Sequence, residues 1–394
     1  MKLAAPTLHA AAATPARRGR GLIAALLAGA FLAGCSSSSE TAAPETVTQT
    51  QTETVEVTTT DTVVVPEVPK AVAELSQRQQ VARLLMVGVT DVADARHALA
   101  QGVGGIFIGS WTSPEVLANI EALREEAGRP FAVAIDAEGG RVMRQPEMFG
   151  RVPAPRDLAQ QGSPEDTRRI AFELGQKLRA AGVTVDFAPV VDTAGGPPEG
   201  AIGDRSFSPD PAVVRQHAAA FGAGLADAGV TPVYKHFPGH GRASGDTHLG
   251  SGVTPPIAEL GEVDLLPYGA VLAAAPGDVM VGHVIVPDLG PEGLPSSLNP
   301  AVYQLLRSGD YPGGQPFEGV IYTDDLTGMK AISDKYGAAA AAEKALEAGA
   351  DVALWINTDY LSEAIDLLDR AVTEGQYPKE RMLASVTRVI QAVH

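Results

Sequence analysis

From residue 70 onward the chain alternates short apolar runs with longer stretches whose apolar side chains recur at helical spacing. Eight runs stand out: LLMVGV (84–89), GGIFIG (104–109), FAVAID (131–136), VDFAPVVD (185–192), TPVYKHF (231–237), DVMVGHVIV (278–286), GVIYTDD (319–325) and ADVALWI (350–356). The intervening stretches SPEDTRRIAFELGQKLRAAG (163–182) and PAVVRQHAAAFGAGLADAG (211–229) read as helices, each closed by a glycine. Strand and helix alternating in this way is the mark of βα units around a parallel sheet. Eight such units predict an α/β fold, a (β/α)8 barrel of TIM type, as one catalytic domain over 70–394.

Polar residues fall where such a barrel keeps its chemistry. Asp136, Asp192, Lys235 with His236, His283, Asp324 with Asp325, and Asn357 lie at or near the carboxyl ends of apolar runs. Active sites of this fold are built where strands end and βα loops begin. Any one of these residues is most simply a satisfied structural group, but six strand ends together predict a polar pocket.

The front of the chain follows a different pattern. Arg17, Arg18 and Arg20 precede the apolar run GLIAALLAGAFLAG, which is too short and wrongly flanked for a spanning helix and fits a secretory signal over 1–34. The run ends in LAGC, Leu32 to Cys35, which resembles the lipobox of bacterial lipoproteins. Cys35 is therefore expected to carry the lipid and to become the mature N-terminus. It is the only cysteine, so no disulfide forms within the chain. The Ser-, Thr- and Glu-rich segment that follows it, to residue 69, has too few large apolar side chains to offset its ordering entropy and reads as a disordered tether. The expected location is the extracytoplasmic face of a cell membrane.

Composition narrows the partners. A 45% hydrophobic content is that of a packed globular protein, and a net charge of −17, from 47 acidic and 30 basic residues, leaves no basic footprint for nucleic acid.

The densest chemistry lies in YKHFPGHGRASGDTHLG (234–250). Its histidines and aspartate are zinc ligand types, but Pro238 and Gly239 interrupt the helical spacing that would bring His236 and His240 to one face. No metal and no cofactor are expected. Asp246 and His248 stand two residues apart on a glycine-rich loop, where the carboxylate can orient the imidazole and favour its protonated form, making a proton-transfer device. Taken alone, the tripeptide DTH is equally a turn that redirects the chain. Asp324 follows the buried run Val320, Ile321, Tyr322 and is placed to attack an electrophilic carbon. Asp325 is its rival, which strand alternation turns away from the pocket if Asp324 faces in.

Four segments, IDAEGGRVMR (135–144), IGDRSFS (202–208), KHFPGHG with GDTH (235–248) and GVIYTDDL (319–326), resemble the family 3 glycoside hydrolases. More narrowly, they resemble the single-domain bacterial β-N-acetylglucosaminidases. The resemblance implies that Asp324 is the nucleophile and that Asp246 and His248 form the acid/base dyad. It implies that Asp136, Arg144, Arg205, Lys235 and His236 bind sugar hydroxyls, and that His240 packs the loop with no direct chemical role. Two departures stand out: Ala137 occupies a position usually held by glutamine, and Gly328 adds one residue to the spacing after the DD pair.

The implied activity is that of a monomeric, retaining exo-enzyme releasing terminal β-linked N-acetylglucosamine (GlcNAc) from peptidoglycan fragments. The alternatives are a β-glucosidase, an N-acetylglucosaminide phosphorylase of the same family, and a non-catalytic sugar-binding lipoprotein. The first usually draws its acid/base from an additional C-terminal domain, and the last needs none of Asp324, Asp246 and His248.

Overall fold

Each of the eight predicted runs contributes one strand to a single parallel sheet. A computed structural model describes residues 69–245, 252–327, 332 and 335–393, all within a unit running from Val65 to His394. The strands are β1 (Leu85–Val89), β2 (Gly105–Ile108), β3 (Ala132–Ile135), a small hairpin of β4 (Ala137–Gly139) and β5 (Val142–Met143), then β6 (Val185–Asp186), β7 (Thr231–Phe237), β8 (Asp278–Val281), β9 (Ile321–Thr323) and β10 (Ala353–Trp355). The main sheet has the order β10-β1-β2-β3-β6-β7-β8-β9, with the antiparallel β4–β5 hairpin outside it. Its two ends meet, because Tyr322 bridges Val352 in parallel and the Ile321 carbonyl accepts from the Asp351 and Val352 amides. The sheet thus closes into the expected (β/α)8 barrel.

The strands read as unbroken apolar runs because both of their faces are covered. Every residue of β1, β2, β3, β8, β9 and β10 is buried. The fourth predicted run is the least regular. Its ladder stops after Asp186, and a proline three residues on, Pro189, has no N–H to offer a neighbour. The chain nevertheless keeps alongside β7 through a bridge from Val190 to Lys235.

The two helices predicted from spacing form over Pro164–Ala180 and Pro211–Asp227. Ser163 opens the first with a reciprocal capping box to Asp166, and Asp210 caps the second by accepting from the Ala212 amide. The first turns Ala171, Leu174 and Leu178 inward and the second Val214, Phe221 and Leu225. At about 25 cal/mol per Å2 of apolar surface removed from water, each such leucine or phenylalanine contributes roughly 1.5–3 kcal/mol.

Candidate active site

A cavity of about 310 Å3 opens where the strands end, and Asp136, Arg144, Arg205, Lys235, His236 and Asp324 all line it. Their elements are far apart in sequence. Asp136 follows β3, Lys235 and His236 are the last but two and the last but one residues of β7, and Asp324 follows β9. Arg205 ends a short 3-10 turn, Gly203–Arg205, and Arg144 follows the β4–β5 hairpin. Cys35, Asp246, His248 and Gly328 lie outside the described residues.

The inner wall is a network of matched charges. The Lys235 ammonium lies 2.7 Å from Asp136 Oδ1 and 2.6 Å from Glu138 Oε1, with 3% of its side chain exposed. Arg205 donates Nε and Nη2 to the two oxygens of Glu138, at 2.7 and 2.8 Å, the planar two-bond geometry that guanidinium and carboxylate share. Arg144 reaches Asp136 Oδ2 at 3.4 Å. Burial by itself would drive each of these groups neutral. For Glu138 it is outweighed by Arg205 and Lys235, which hold the carboxyl well below its usual range. For Asp136 it is outweighed chiefly by Lys235 and Arg144, and the Lys235 ammonium is in turn held above its usual value by Asp136 and Glu138.

His236 is fixed from both sides. Its Nδ1 lies 2.7 Å from Asp192 Oδ2, and Arg205 Nη2 approaches its Nε2 at 3.3 Å. A guanidinium can only donate, so Nε2 is the accepting nitrogen and the proton sits on Nδ1, donated to Asp192. Burial, then the neighbouring Arg205, push the imidazole pKa well down, in keeping with a neutral ring. Asp192 also accepts from the His240 amide at 2.6 Å. His240, expected as a packing residue, is buried, lines the cavity, and sets its ring edge-on to His236 at 5.8 Å.

Asp324 Oδ2 stands 4.0 Å from His236 Nε2, and Oδ1 accepts from the Asp325 amide at 2.9 Å. Burial alone would raise its pKa, but the groups around it, among them the donating Asp325 amide and the Lys235 ammonium, outweigh burial, so the carboxyl stays ionised. The strand-alternation argument against Asp325 does not hold. β9 ends at Thr323, both aspartates lie beyond it, and both line the cavity. What separates them is bonding: Asp325 Oδ1 accepts from the amide and hydroxyl of Thr327, both at 2.8 Å. Its carbonyl accepts from His283 Nε2, whose other nitrogen meets the Ser297 hydroxyl at 2.7 Å. Asn357, another predicted strand-end residue, accepts from the Asp359 amide and shapes the turn after β10.

Glu138 is the functional-site residue that the pattern of strand ends misses, since it sits in the β4–β5 hairpin, two residues past the end of its apolar run. Charge balance carries the signal. Three cations assigned to one buried pocket, Arg144, Arg205 and Lys235, need more than Asp136 and Asp324 to match them. The segment carrying Arg205 is likewise held by residues that no motif reading assigned. Arg156 donates to the carbonyls of Ala194, Gly196 and Gly203, and Arg141 to Asp204 and the carbonyls of Gly200, Ala201 and Ile202. Gly203 is required there: its φ is +51°, and a Cβ would sit 2.1 Å from the Pro198 carbonyl oxygen.

Comparison with known proteins agrees with this geometry. The pattern of the glycosyl hydrolase family 3 N terminal domain matches residues 76–392. The chain belongs to glycosyl hydrolase family 3. Within that family it is 45% identical over 339 residues to β-hexosaminidase LpqI of Mycobacterium tuberculosis, covering 83% of this chain and 87% of that one. The crystal structure of a family 3 glycosyl hydrolase from Mycobacterium smegmatis is 48% identical and superposes with a TM-score of 0.80, covering 82% of this chain and 98% of that one. A family 3 β-N-acetylglucosaminidase from Paenibacillus is 33% identical with a TM-score of 0.75, over 81% of this chain and 62% of its own.

Proposed function

We propose that the protein is a β-N-acetylhexosaminidase that releases terminal β-linked GlcNAc with retention of configuration. The family and its β-hexosaminidase relatives support the activity. The observation that carries the mechanism is an ionised Asp324 facing the same cavity as the Asp136–Lys235–Glu138–Arg205 network. In this reading the network, with Arg144 and His236, binds the hydroxyls of the terminal sugar and holds its anomeric carbon over Asp324. The carboxylate attacks that carbon while His248, oriented by Asp246, protonates the departing oxygen. A covalent glycosyl-enzyme results, and His248 then takes a proton from water as the water attacks.

Water is favoured over phosphate as acceptor. Among the described residues that line the cavity, Lys235, Arg205, Arg144 and Arg141 are all already matched to carboxylates. An incoming inorganic phosphate would therefore have to share these cations with carboxylates already bonded to them, and release of sugar phosphate in phosphate buffer overturns this preference for water. The natural substrates are read as peptidoglycan fragments, delivered to a barrel held at the extracytoplasmic face of the cell membrane by a lipid on Cys35. Loss of fatty-acid labelling and of membrane association in Cys35→Ala is the expected result, and a wild-type protein that takes up no label overturns the anchor.

Proton NMR during cleavage of an aryl β-GlcNAc tests the central reading. The β anomer of GlcNAc should appear first and mutarotate later. First appearance of the α anomer overturns retention, and no release of GlcNAc overturns the hexosaminidase assignment.

A further inference from the structure

Trp111 has 44% of its surface exposed, yet it lines the cavity and stands on one of its most firmly held turns. The turn follows β2. The Thr112 hydroxyl accepts from the Gly109 amide at 2.9 Å and donates to the Val89 carbonyl at 2.6 Å. Gln145, two residues past the β4–β5 hairpin, clamps it, donating Nε2 to the carbonyls of Gly109 and Thr112 at 2.9 and 2.8 Å. The indole folds back over Gly109, where a Cβ would lie 2.4 Å from the ring, so only glycine admits this pose.

Behind it runs a row of aromatic rings. Trp111 meets Phe107 at 6.2 Å, Phe107 stacks on Phe187 at 5.8 Å, and Phe187 meets the edge-on Tyr322 at 5.3 Å. Tyr322 belongs to the strand that leads to Asp324. The other three rings are buried, so Trp111 is the exposed end of the row, with Gly109 and Phe107 against its ring and nearly half of its surface uncovered. A large aromatic surface held rigid and left uncovered beside a polar cavity has the form of a binding platform.

We infer that Trp111 stacks against the C–H face of the sugar unit that is transferred to Asp324, making it a binding residue for the glycone rather than the leaving group. The inference rests on the proposed hexosaminidase reading. In β-GlcNAc the ring substituents are equatorial, which leaves the axial C–H groups of each face bunched into an apolar, weakly positive surface, the complement of an indole face. The side of the cavity decides which sugar is met. Ser110, next to Trp111, receives Arg144 Nη1 at 3.2 Å, and Arg144 bonds Asp136, so the indole shares its turn with the group of residues read as holding the terminal sugar.

The test uses the intact protein with Trp111→Ala and Trp111→Phe, measuring KM for an aryl β-GlcNAc and for chitobiose, and the inhibition constant of free GlcNAc. Trp111→Ala should raise all three by a common factor of about tenfold, the size of one lost aromatic contact together with its buried area. Trp111→Phe should keep most of the affinity and, by keeping a ring against Phe107, most of the melting temperature. An active variant with unchanged GlcNAc inhibition overturns the assignment, and if only the chitobiose KM moves, the ring belongs to the leaving-group side. A wild-type protein that leaves both substrates intact overturns the hexosaminidase reading itself, and this assignment with it.

Discussion

Glu138 Oε1 lies 2.6 Å from Lys235 Nζ, and neither side chain is more than 3% exposed. The same carboxylate holds Arg205, so one acid is shared between two cations, with Asp136 supplying the second negative charge. Removing one partner of a buried ion pair strands the other, at a cost of about 3–5 kcal/mol. Glu138→Ala should lower the unfolding free energy by about that much in urea titrations at pH 7, and Glu138→Gln by less, because the amide oxygen still accepts. The sign with pH follows from the depressed folded pKa. The contribution is full above the ordinary glutamate value and shrinks as the pH falls below about 4.3. The difference between wild type and Glu138→Gln should therefore narrow on acidification.

Asp324→Asn should reduce cleavage of an aryl β-GlcNAc by about four orders of magnitude, as expected when the group that forms the covalent bond is lost. The fold should stay intact by circular dichroism. Asp325→Asn keeps an oxygen for Thr327 and should retain a readily measured rate. The reverse ranking would make Asp325 the nucleophile.

His248→Ala should slow substrates with poor, natural leaving groups far more than activated aryl ones. An acid is needed in the first step only when the leaving group is poor, whereas water always needs a base in the second. With an activated substrate a pre-steady-state burst should appear. Azide, which needs no base, should restore part of the turnover as the β-glycosyl azide. Equal slowing of both substrate types, with no burst and no adduct, would remove His248 from the reaction.

Asp186 offers a test of buried charge outside the chemistry. Its Oδ1 accepts from the Ala137 amide at 2.9 Å, its Oδ2 has no partner among the described residues, and burial pushes its carboxyl up to about 8. Between pH 4 and 8 the folded protein therefore holds a proton that the unfolded chain has released, so stability falls as the pH rises through this range. Asp186→Asn should remove that slope. Its unfolding free energy should match wild type near pH 4 and exceed it by about 5 kcal/mol at pH 8.

The barrel was legible because both covered faces of each strand write an apolar run into the sequence, and the helical spacing of the stretches between them, closed by glycines such as Gly182 and Gly229, marks the helices. The strand-end rule reached Asp136, Lys235, His236 and Asp324, since a polar residue closing an apolar run is a local signal. Glu138, Arg141 and Arg156 escaped it. They act by bonding to groups tens of residues away, and nothing in their immediate neighbours shows which carbonyl or cation they will meet. The alternation argument about Asp325 failed for a related reason: it extended strand geometry past Thr323, where the ladder has already ended.

The sharing of Glu138 between Lys235 and Arg205 bears on how this site can diversify. A neutral replacement of any one of the three leaves an unmatched charge away from water, so single-step change there is costly and compensating double changes are rare. Variation should instead accumulate at side chains that surround the network without belonging to it. Ala137 is one such position: buried beside Glu138, it offers Asp186 its backbone amide, so a replacement small enough for the packed space leaves that bond in place. Descendants of this barrel are thus expected to acquire new sugar preferences from the periphery inward.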